Sequence, residues 1–181
     1  MKIAAISCAR MASTRFPGKC LAMLDGKPLI QYTIDFAKKI EIPLYIWTRD
    51  IEIMEYVKDK CPIIYEPEHL YDTKEDTTRE KMAFANKIID ADYIILLQPT
   101  QPIRDKVTKS VIDTAIKMQL GYAYSGDKGK PDGTVYVYSR GYLWQKDCQF
   151  GWGVPTYDYF DIDTKEDLKR CEEWLQARKL S

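Results

Sequence analysis

The sequence is poor in the residues on which many catalytic and metal sites depend. Of its 181 residues only His69 is a histidine, which excludes sites built on several histidines. His69 lies in a polar stretch, where a solvated loop residue is a simpler interpretation than a catalytic base. The five cysteines are odd in number and form no C-x-x-C pair. They favour reduced thiols of a cytoplasmic protein over a disulfide or zinc framework.

Net charge and long apolar runs are absent as well. The chain has 27 basic and 27 acidic residues, so its charge predicts neither a nucleic-acid partner nor a membrane surface. The longest apolar runs, such as residues 93–97, are far too short to cross a bilayer. Because residues 1–2 lead directly into a strand pattern, we expect no signal peptide.

Strand and helix patterns alternate along the chain. Helices are predicted at 28–39, 50–60, 107–119, 142–146 and 164–177, with another that begins at 76 or 77 and contains Ile89. Strands are predicted at 2–7, 44–48, 63–65, 93–98, 122–125, 134–139 and 157–163, with a turn rich in glycine and lysine at 128–133. The alternation predicts one α/β domain over residues 1–181 with a mostly parallel sheet.

A cationic loop follows the first predicted strand. Arg10, Arg15 and Lys19 lie within ten residues, together with Ser13. Forked arginine contacts and a lysine point charge suit a triphosphate, although the loop is not a P-loop of the Walker A type. The alternative is a basic surface turn that binds nothing.

Two further clusters fall at the same predicted rim, the carboxyl ends of the strands. Gln98, Thr100 and Arg104 lie in a proline-stiffened turn and offer groups that suit a carboxylated, hydroxyl-rich sugar; alternatively, Arg104 is simply solvated. Alternation places Asp161 and Asp163 on one face of the last predicted strand, where two carboxylates suit magnesium. The alternative is that they cap the last helix.

The sequence Ala9-Arg-Met-Ala-Ser-Thr-Arg-Phe-Pro-Gly-Lys19, continued by Gly26-Lys-Pro-Leu-Ile30, resembles the opening signature of the sugar cytidylyltransferases. This family includes the CMP-sialic acid and CMP-KDO synthetases and related spore-coat polysaccharide proteins. Leu96-Leu-Gln-Pro-Thr-Gln-Pro-Ile-Arg104 resembles the family's central motif, and Asp161-Ile-Asp-Thr-Lys-Glu-Asp-Leu168 its metal motif. The resemblance covers most of the chain, with the motifs in the family's order.

The resemblance implies a fold, a reaction and a set of site residues. The fold would be a single-domain, Rossmann-like three-layer α/β/α sandwich of the nucleotide-diphospho-sugar transferase type. The reaction would transfer CMP from CTP to the anomeric hydroxyl of a 2-keto-3-deoxy sugar acid, sialic acid-like or KDO-like, and release pyrophosphate. The implied roles are catalysis by Arg10, Lys19, Asp161 and Asp163; nucleotide binding by Ala9, Arg10, Ser13, Arg15, Lys19 and Thr77; sugar binding by Gln98, Thr100, Arg104 and Tyr136; and Mg²⁺ binding by Asp161 and Asp163.

Three departures from the family keep other interpretations open. Cys20 stands where the sialic acid enzymes have Asn, and Glu66 stands about where they have an Arg that helps with the nucleotide. Residues 105–135 are shorter than the region that forms their dimerisation arm, so we expect a monomer or weak homodimer. The alternatives are another nucleotide or sugar specificity, or a catalytically silent nucleotide-binding relative. Whether residues 128–133 close over the site is left open by the sequence.

Overall fold

The computed structural model describes residues 1–70, 78–104, 106–127, 130–145, 151–154 and 160–179. Within these residues the strands are β1 (Ile3–Cys8), β2 (Met23–Leu24), β3 (Lys27–Pro28), β4 (Leu44–Thr48), β5 (Ile63–Tyr65), β6 (Tyr93–Leu96), β7 (Tyr122–Asp127), β8 (Lys130–Ser139) and β9 (Gly151–Val154). The α-helices are α1 (Leu29–Lys39), α2 (Ile51–Val57), α3 (Thr78–Ile89), α4 (Lys106–Lys117), α5 (Arg140–Gln145) and α6 (Lys165–Lys179).

Seven of the described strands form one sheet in the order β5-β4-β1-β6-β8-β7-β9. Strand β8 is antiparallel to both of its neighbours, whereas the other neighbouring pairs are parallel. The prediction of a mostly parallel sheet is therefore confirmed. Strands β2 and β3 form a separate small antiparallel ribbon.

Apolar side chains cover both faces of the sheet. Alternation along β1 turns Ala5 towards the cluster that contains Ile34 of α1 and Ile112 of α4, and Ile6 towards the cluster that contains Met82 of α3. Helices therefore pack on both faces, as in a three-layer α/β/α arrangement. No helix in the described part of the chain has the length and apolarity that a membrane crossing needs.

A third apolar cluster ties the two ends of the chain together. Phe16 from the loop after β1 packs with Leu24, Leu29, Ile162 and Cys171. Because Phe16 and Ile162 are both buried, the loop that contains Arg10 and the segment that contains Asp161 are held to the same small core.

One predicted strand is wrong over its described residues, and part of one predicted turn is strand. Residues 160–163 form no strand, and residues 157–159 of the predicted strand lie outside the described residues. The alternation there arises because Phe160 and Ile162 pack into the third apolar cluster instead of a sheet. Residues 130–133 of the predicted turn belong to β8, whereas residues 128–129 lie outside the description.

Candidate active site

The loop after β1 is held by two hydrogen bonds and one buried side chain. Asp50, at the start of α2, accepts a hydrogen bond from the Met11 N–H at 2.7 Å. The Gly18 N–H donates to the Met11 carbonyl at 2.8 Å, and Gly18 has a φ of +72°, a conformation that glycine adopts most easily. Phe16 is buried, whereas Arg10, Arg15 and Lys19 of this loop line one cavity.

Two of these cations converge on one carboxylate. Arg15 and Lys19 place a guanidinium nitrogen and an ammonium nitrogen 2.7 Å and 2.8 Å from the two oxygens of Asp163. The Arg15 side chain is 65% exposed and that of Lys19 only 15% exposed, so Lys19 forms the inner part of this cluster. The cationic loop and the side chain of Asp163 are therefore in direct contact.

The segment before α6 is positioned by backbone and side-chain contacts. The Ile162 N–H donates to the Thr100 carbonyl at 2.9 Å, and the Thr100 hydroxyl bonds the Asp161 carboxylate. At the helix start, Asp167 accepts from the Thr164 N–H at 2.8 Å, while the Asp167 N–H donates to the Thr164 hydroxyl oxygen at 3.2 Å. These reciprocal bonds cap the helix start, and Asp167 also accepts from the Asp163 N–H at 3.2 Å.

Desolvation, and then the nearby charge of Asp163, raise the pKa of the Asp161 carboxyl. The Thr100 hydrogen bond and the Lys19 and Arg15 charges act in the opposite direction. Two carboxylates are therefore close enough to repel one another, and a bound cation would relieve that repulsion.

Eight of the predicted site residues line one open cavity of about 920 Å³. They are Arg10, Ser13, Arg15, Lys19, Gln98, Thr100, Asp161 and Asp163. Cys8, Cys20, Thr78, Lys81 and Leu96 also contribute to its lining. A cationic loop, a pair of carboxylates and uncharged polar groups thus face a common space, which is an arrangement suited to a metal-bound polyphosphate and a polar acceptor.

The position of Gln98 depends on a glycine behind it. Gly133 in β8 has a φ of +88°, and an added Cβ there would lie 3.1 Å from both Gln98 Oε1 and Gln101 Nε2. Gln101 Nε2 in turn donates to the Asp132 carbonyl at 3.1 Å. The close approach of β8 to the turn after β6 therefore limits where the Gln98 amide can lie.

Arg104, for which the resemblance implies sugar binding, does not line the cavity. Its guanidinium donates to the Gln98 carbonyl, to the Thr33 hydroxyl at 3.1 Å and to the Thr134 carbonyl at 3.4 Å. Burial lowers the pKa of Arg104 to about 9, so the group is still charged at neutral pH. The charge satisfies backbone carbonyls behind the site.

Two other predicted residues do not line the cavity, and a third is outside the described part of the chain. Ala9 is fully buried, and its N–H donates to the Trp47 carbonyl at 3.0 Å. Tyr136 does not line the cavity; its ring stacks on Tyr138 with centroids 6.4 Å apart. Thr77 lies outside the described residues, although its neighbour Thr78 is part of the lining.

The family assignment follows from the sequence match. The sequence model of the family described as cytidylyltransferase matches residues 4–133, which include β1, the cationic loop and the turn with Gln98 and Thr100. The chain belongs to the cytidylyltransferase family. Asp161 and Asp163 lie beyond the matched range.

Individual cytidylyltransferases show the same relationship. The 3-deoxy-manno-octulosonate cytidylyltransferase of Chloroherpeton thalassium is 35% identical over 121 residues, which cover 64% of this chain and 45% of that protein. The corresponding protein of Geobacter metallireducens is 35% identical over 118 residues, covering 64% of this chain and 44% of its own length. The chain thus matches less than half the length of these curated relatives.

Solved structures share the fold. A CMP:2-keto-3-deoxy-manno-octonic acid synthetase complexed with CTP has a TM-score of 0.81 and 16% identity, covering 98% of this chain and 100% of that chain. A cytidylyltransferase from Leptospira borgpetersenii has a TM-score of 0.76 and 16% identity, covering 98% of this chain and 87% of that chain. These likenesses confirm the predicted α/β/α fold.

The carboxylate oxygens of Asp161 and Asp163 are donors of the kind that magnesium prefers. No group of three or more His, Cys, Asp or Glu side chains in the described residues could hold a metal ion. Magnesium differs from zinc in this respect, since it commonly binds one or two carboxylates and completes its shell with water and substrate phosphates. Asp161 and Asp163, beside the phosphate-suited loop, match that requirement.

Cys8 and Lys81 are lining residues that the sequence did not predict. Cys8 is the last residue of β1, at the strand end where ligands bind in parallel sheets. Lys81 lies three residues after Thr78 on α3, a spacing that places both on one helix face. The sequence signal that could have identified Lys81 was its position four residues after the predicted Thr77.

Proposed function

We propose that this chain is a magnesium-dependent cytidylyltransferase that transfers CMP from CTP to the anomeric hydroxyl of a 2-keto-3-deoxy sugar acid. The observation that carries the proposal is the contact of Arg15 and Lys19 with Asp163 in a cavity that Gln98 and Thr100 also line. A metal triphosphate would satisfy both the cations and the carboxylate. The relatives named as 3-deoxy-manno-octulosonate cytidylyltransferases support a KDO-like acceptor over a sialic acid-like one.

Each group has a separate task in the proposed reaction. Arg10, Arg15 and Lys19 would bind the triphosphate and neutralise the charge that develops on the departing pyrophosphate. The sugar oxygen forms a bond to the α-phosphorus, the bond from that phosphorus to the β-phosphate bridging oxygen breaks so that pyrophosphate leaves, and the hydroxyl proton passes to solvent. Gln98 and Thr100 would orient the acceptor for this in-line attack.

Asp161 and Asp163 would hold the magnesium ion. When bound, the ion would supply charge neutralisation on the phosphates and a lower pKa for the attacking hydroxyl. The contribution of the chain is to keep both carboxylates in place, through the Thr100 contacts on one side and the Asp167 cap on the other.

The direct test is pyrophosphate release from CTP with magnesium, with KDO and N-acetylneuraminic acid offered in parallel. We expect turnover with the KDO-like acceptor and a loss of at least about 100-fold in Asp163→Asn, since one removed charge-stabilising group typically costs this much. Glu173→Ala on α6, which removes an exposed carboxylate that pairs with Lys169 at 3.9 Å, is the matched control. Comparable rates with UTP or ATP would contradict the cytidylyl assignment. Tight CTP binding without turnover on any acceptor would favour the catalytically silent alternative.

A further inference from the structure

A second ion pair, between Lys81 and Glu66, joins α3 to the end of β5. The Lys81 ammonium is 2.8 Å from Glu66 Oε1, and the two side chains are 12% and 1% exposed. Lys81 lines the cavity, whereas Glu66 lies behind it. The ammonium is thus held between a buried carboxylate and the ligand space.

Glu66 is buried and its backbone is tied to a neighbouring strand. It directly follows β5, and its N–H donates to the Thr48 carbonyl at 3.1 Å. Its second carboxylate oxygen is buried and has no hydrogen-bond partner among the described residues. Because moving Lys81 away would leave this carboxylate buried without its cation, the pair is expected to persist when a ligand binds.

In a persistent pair Lys81 stays a charged hydrogen-bond donor, but Glu66 balances its charge, so the pair as a whole is neutral. An ammonium has three N–H donors, so its bond to Glu66 does not exhaust them. A polyphosphate needs cations whose charge no carboxylate neutralises. Arg15 and Lys19 of the cationic loop can provide them once Asp163 binds a metal ion. A neutral group with acceptor atoms is the better match for Lys81.

The part of the cavity around Lys81 has the composition of a site for a heteroaromatic ring. With the phosphates on the loop after β1 and the acceptor at Gln98 and Thr100, the remaining lining includes Cys8, Thr78, Lys81 and Leu96. Burial raises the pKa of the Cys8 thiol to about 12, so this group is neutral. Apolar and neutral surface with a few placed donors is typical of a ligand pocket for a ring.

We propose that Lys81, held in place by Glu66, donates a hydrogen bond to a ring acceptor of the bound pyrimidine nucleotide. Cytosine offers O2 and N3 as acceptors. The inference rests on the proposed function only in taking a cytidine nucleotide as the ligand. It makes Lys81 a base-recognition residue and Glu66 its positioning residue.

The test separates contacts with the base from contacts with the phosphates. Calorimetry with magnesium would measure the binding of CTP and of inorganic tripolyphosphate to the wild type, Lys81→Met and Lys87→Met. Lys87→Met is the matched control because it makes the same change on α3 outside the cavity lining. We expect Lys81→Met to weaken CTP binding roughly 10- to 100-fold, the usual cost of a lost charged hydrogen bond, with tripolyphosphate binding unchanged.

Lys81→Met leaves the buried Glu66 carboxylate without its cation and could therefore be poorly folded. A second variant avoids this problem. Glu66→Gln combined with Lys81→Met removes both charges together and should show the same selective loss of CTP binding. Equal losses for CTP and tripolyphosphate, or no loss for either, would overturn the proposal. So would a wild type that binds CTP no more tightly than tripolyphosphate. A wild type that binds CTP selectively through Lys81 but releases no pyrophosphate would contradict the proposed activity while supporting this inference.

Discussion

The guanidinium of Arg104 connects three parts of the chain behind the candidate active site. It bonds the Gln98 carbonyl in the rim turn, the Thr33 hydroxyl on α1 and the Thr134 carbonyl in β8. It also lies over the Phe36 ring, 5.6 Å from the centroid. A planar group with several fixed donors can hold such a junction, whereas a lysine could not reproduce its geometry.

This arrangement predicts that Arg104 matters for stability more than for substrate binding. Arg104→Met should lower the free energy of unfolding by about 2–3 kcal/mol, because hydrogen bonds from a charged donor are lost and carbonyl oxygens lose a partner. Urea unfolding would measure the change. Arg140→Met, whose side chain is 43% exposed and forms surface ion pairs with Asp90 and Asp92, should cost less than about 1 kcal/mol. An unchanged unfolding midpoint with a sharply raised KM for the sugar would instead support a sugar contact.

At the level of single elements, the start of α6 links helix capping to the carboxylate pair. Asp167 accepts hydrogen bonds from the N–H groups of Thr164 and Asp163, so the same side chain that starts the helix orients the backbone of Asp163. The helix start and the candidate metal ligand therefore form one local unit.

Removing this cap should have two measurable effects. Asp167→Ala should cost about 1 kcal/mol of stability, as the loss of a helix cap usually does. It should also raise the magnesium concentration needed for half-maximal pyrophosphate release, because Asp163 loses a contact that orients it. Glu173→Ala on the same helix should do neither. Magnesium dependence identical to the wild type would show that the cap is not needed to position Asp163.

At the scale of the whole molecule, the candidate site is assembled from distant parts of the chain. The loop after β1, the turn after β6 and the segment before α6 meet at one cavity. Since a ligand there contacts all three, its binding should stabilise the folded chain as a unit.

Thermal unfolding would test this coupling together with the metal requirement. At roughly 100 times its Kd, CTP with magnesium should add about 2.7 kcal/mol, or about 5–10 °C in Tm for a chain of this size. EDTA should abolish most of the shift, and so should Asp163→Asn. If CTP gave the same shift in EDTA as in magnesium, the carboxylates would not act through a metal.

The strands of the parallel core were predicted well because their apolar patterns match the way they pack in the sheet. Strands 44–48 and 63–65 are found with the predicted bounds. The pattern over 157–163 misled because apolar residues alternate there for another reason, namely packing of Phe160 and Ile162 against Phe16 and α6. Periodicity reports which side of a segment is buried, but it does not say against what.

The limits at the site have a similar physical origin. Short motifs identified the side chains that face the cavity from loops, including Arg10, Lys19 and Asp163. They did not distinguish Arg104, whose chemistry suits a sugar carboxylate and a backbone carbonyl equally well. Lys81 was missed because its significance depends on Glu66, which is 15 residues away and buried.

The contact between Lys19 and Asp163 joins residues 144 positions apart in the sequence. During synthesis on the ribosome, the strands β1 and β6 emerge long before Asp163 does. The nascent chain can therefore form much of its sheet before the cationic loop has its carboxylate partner. Contacts between such distant residues also tend to form late, because closing a long loop is entropically costly. The proposed nucleotide site should consequently be completed only after much of the sheet has already folded.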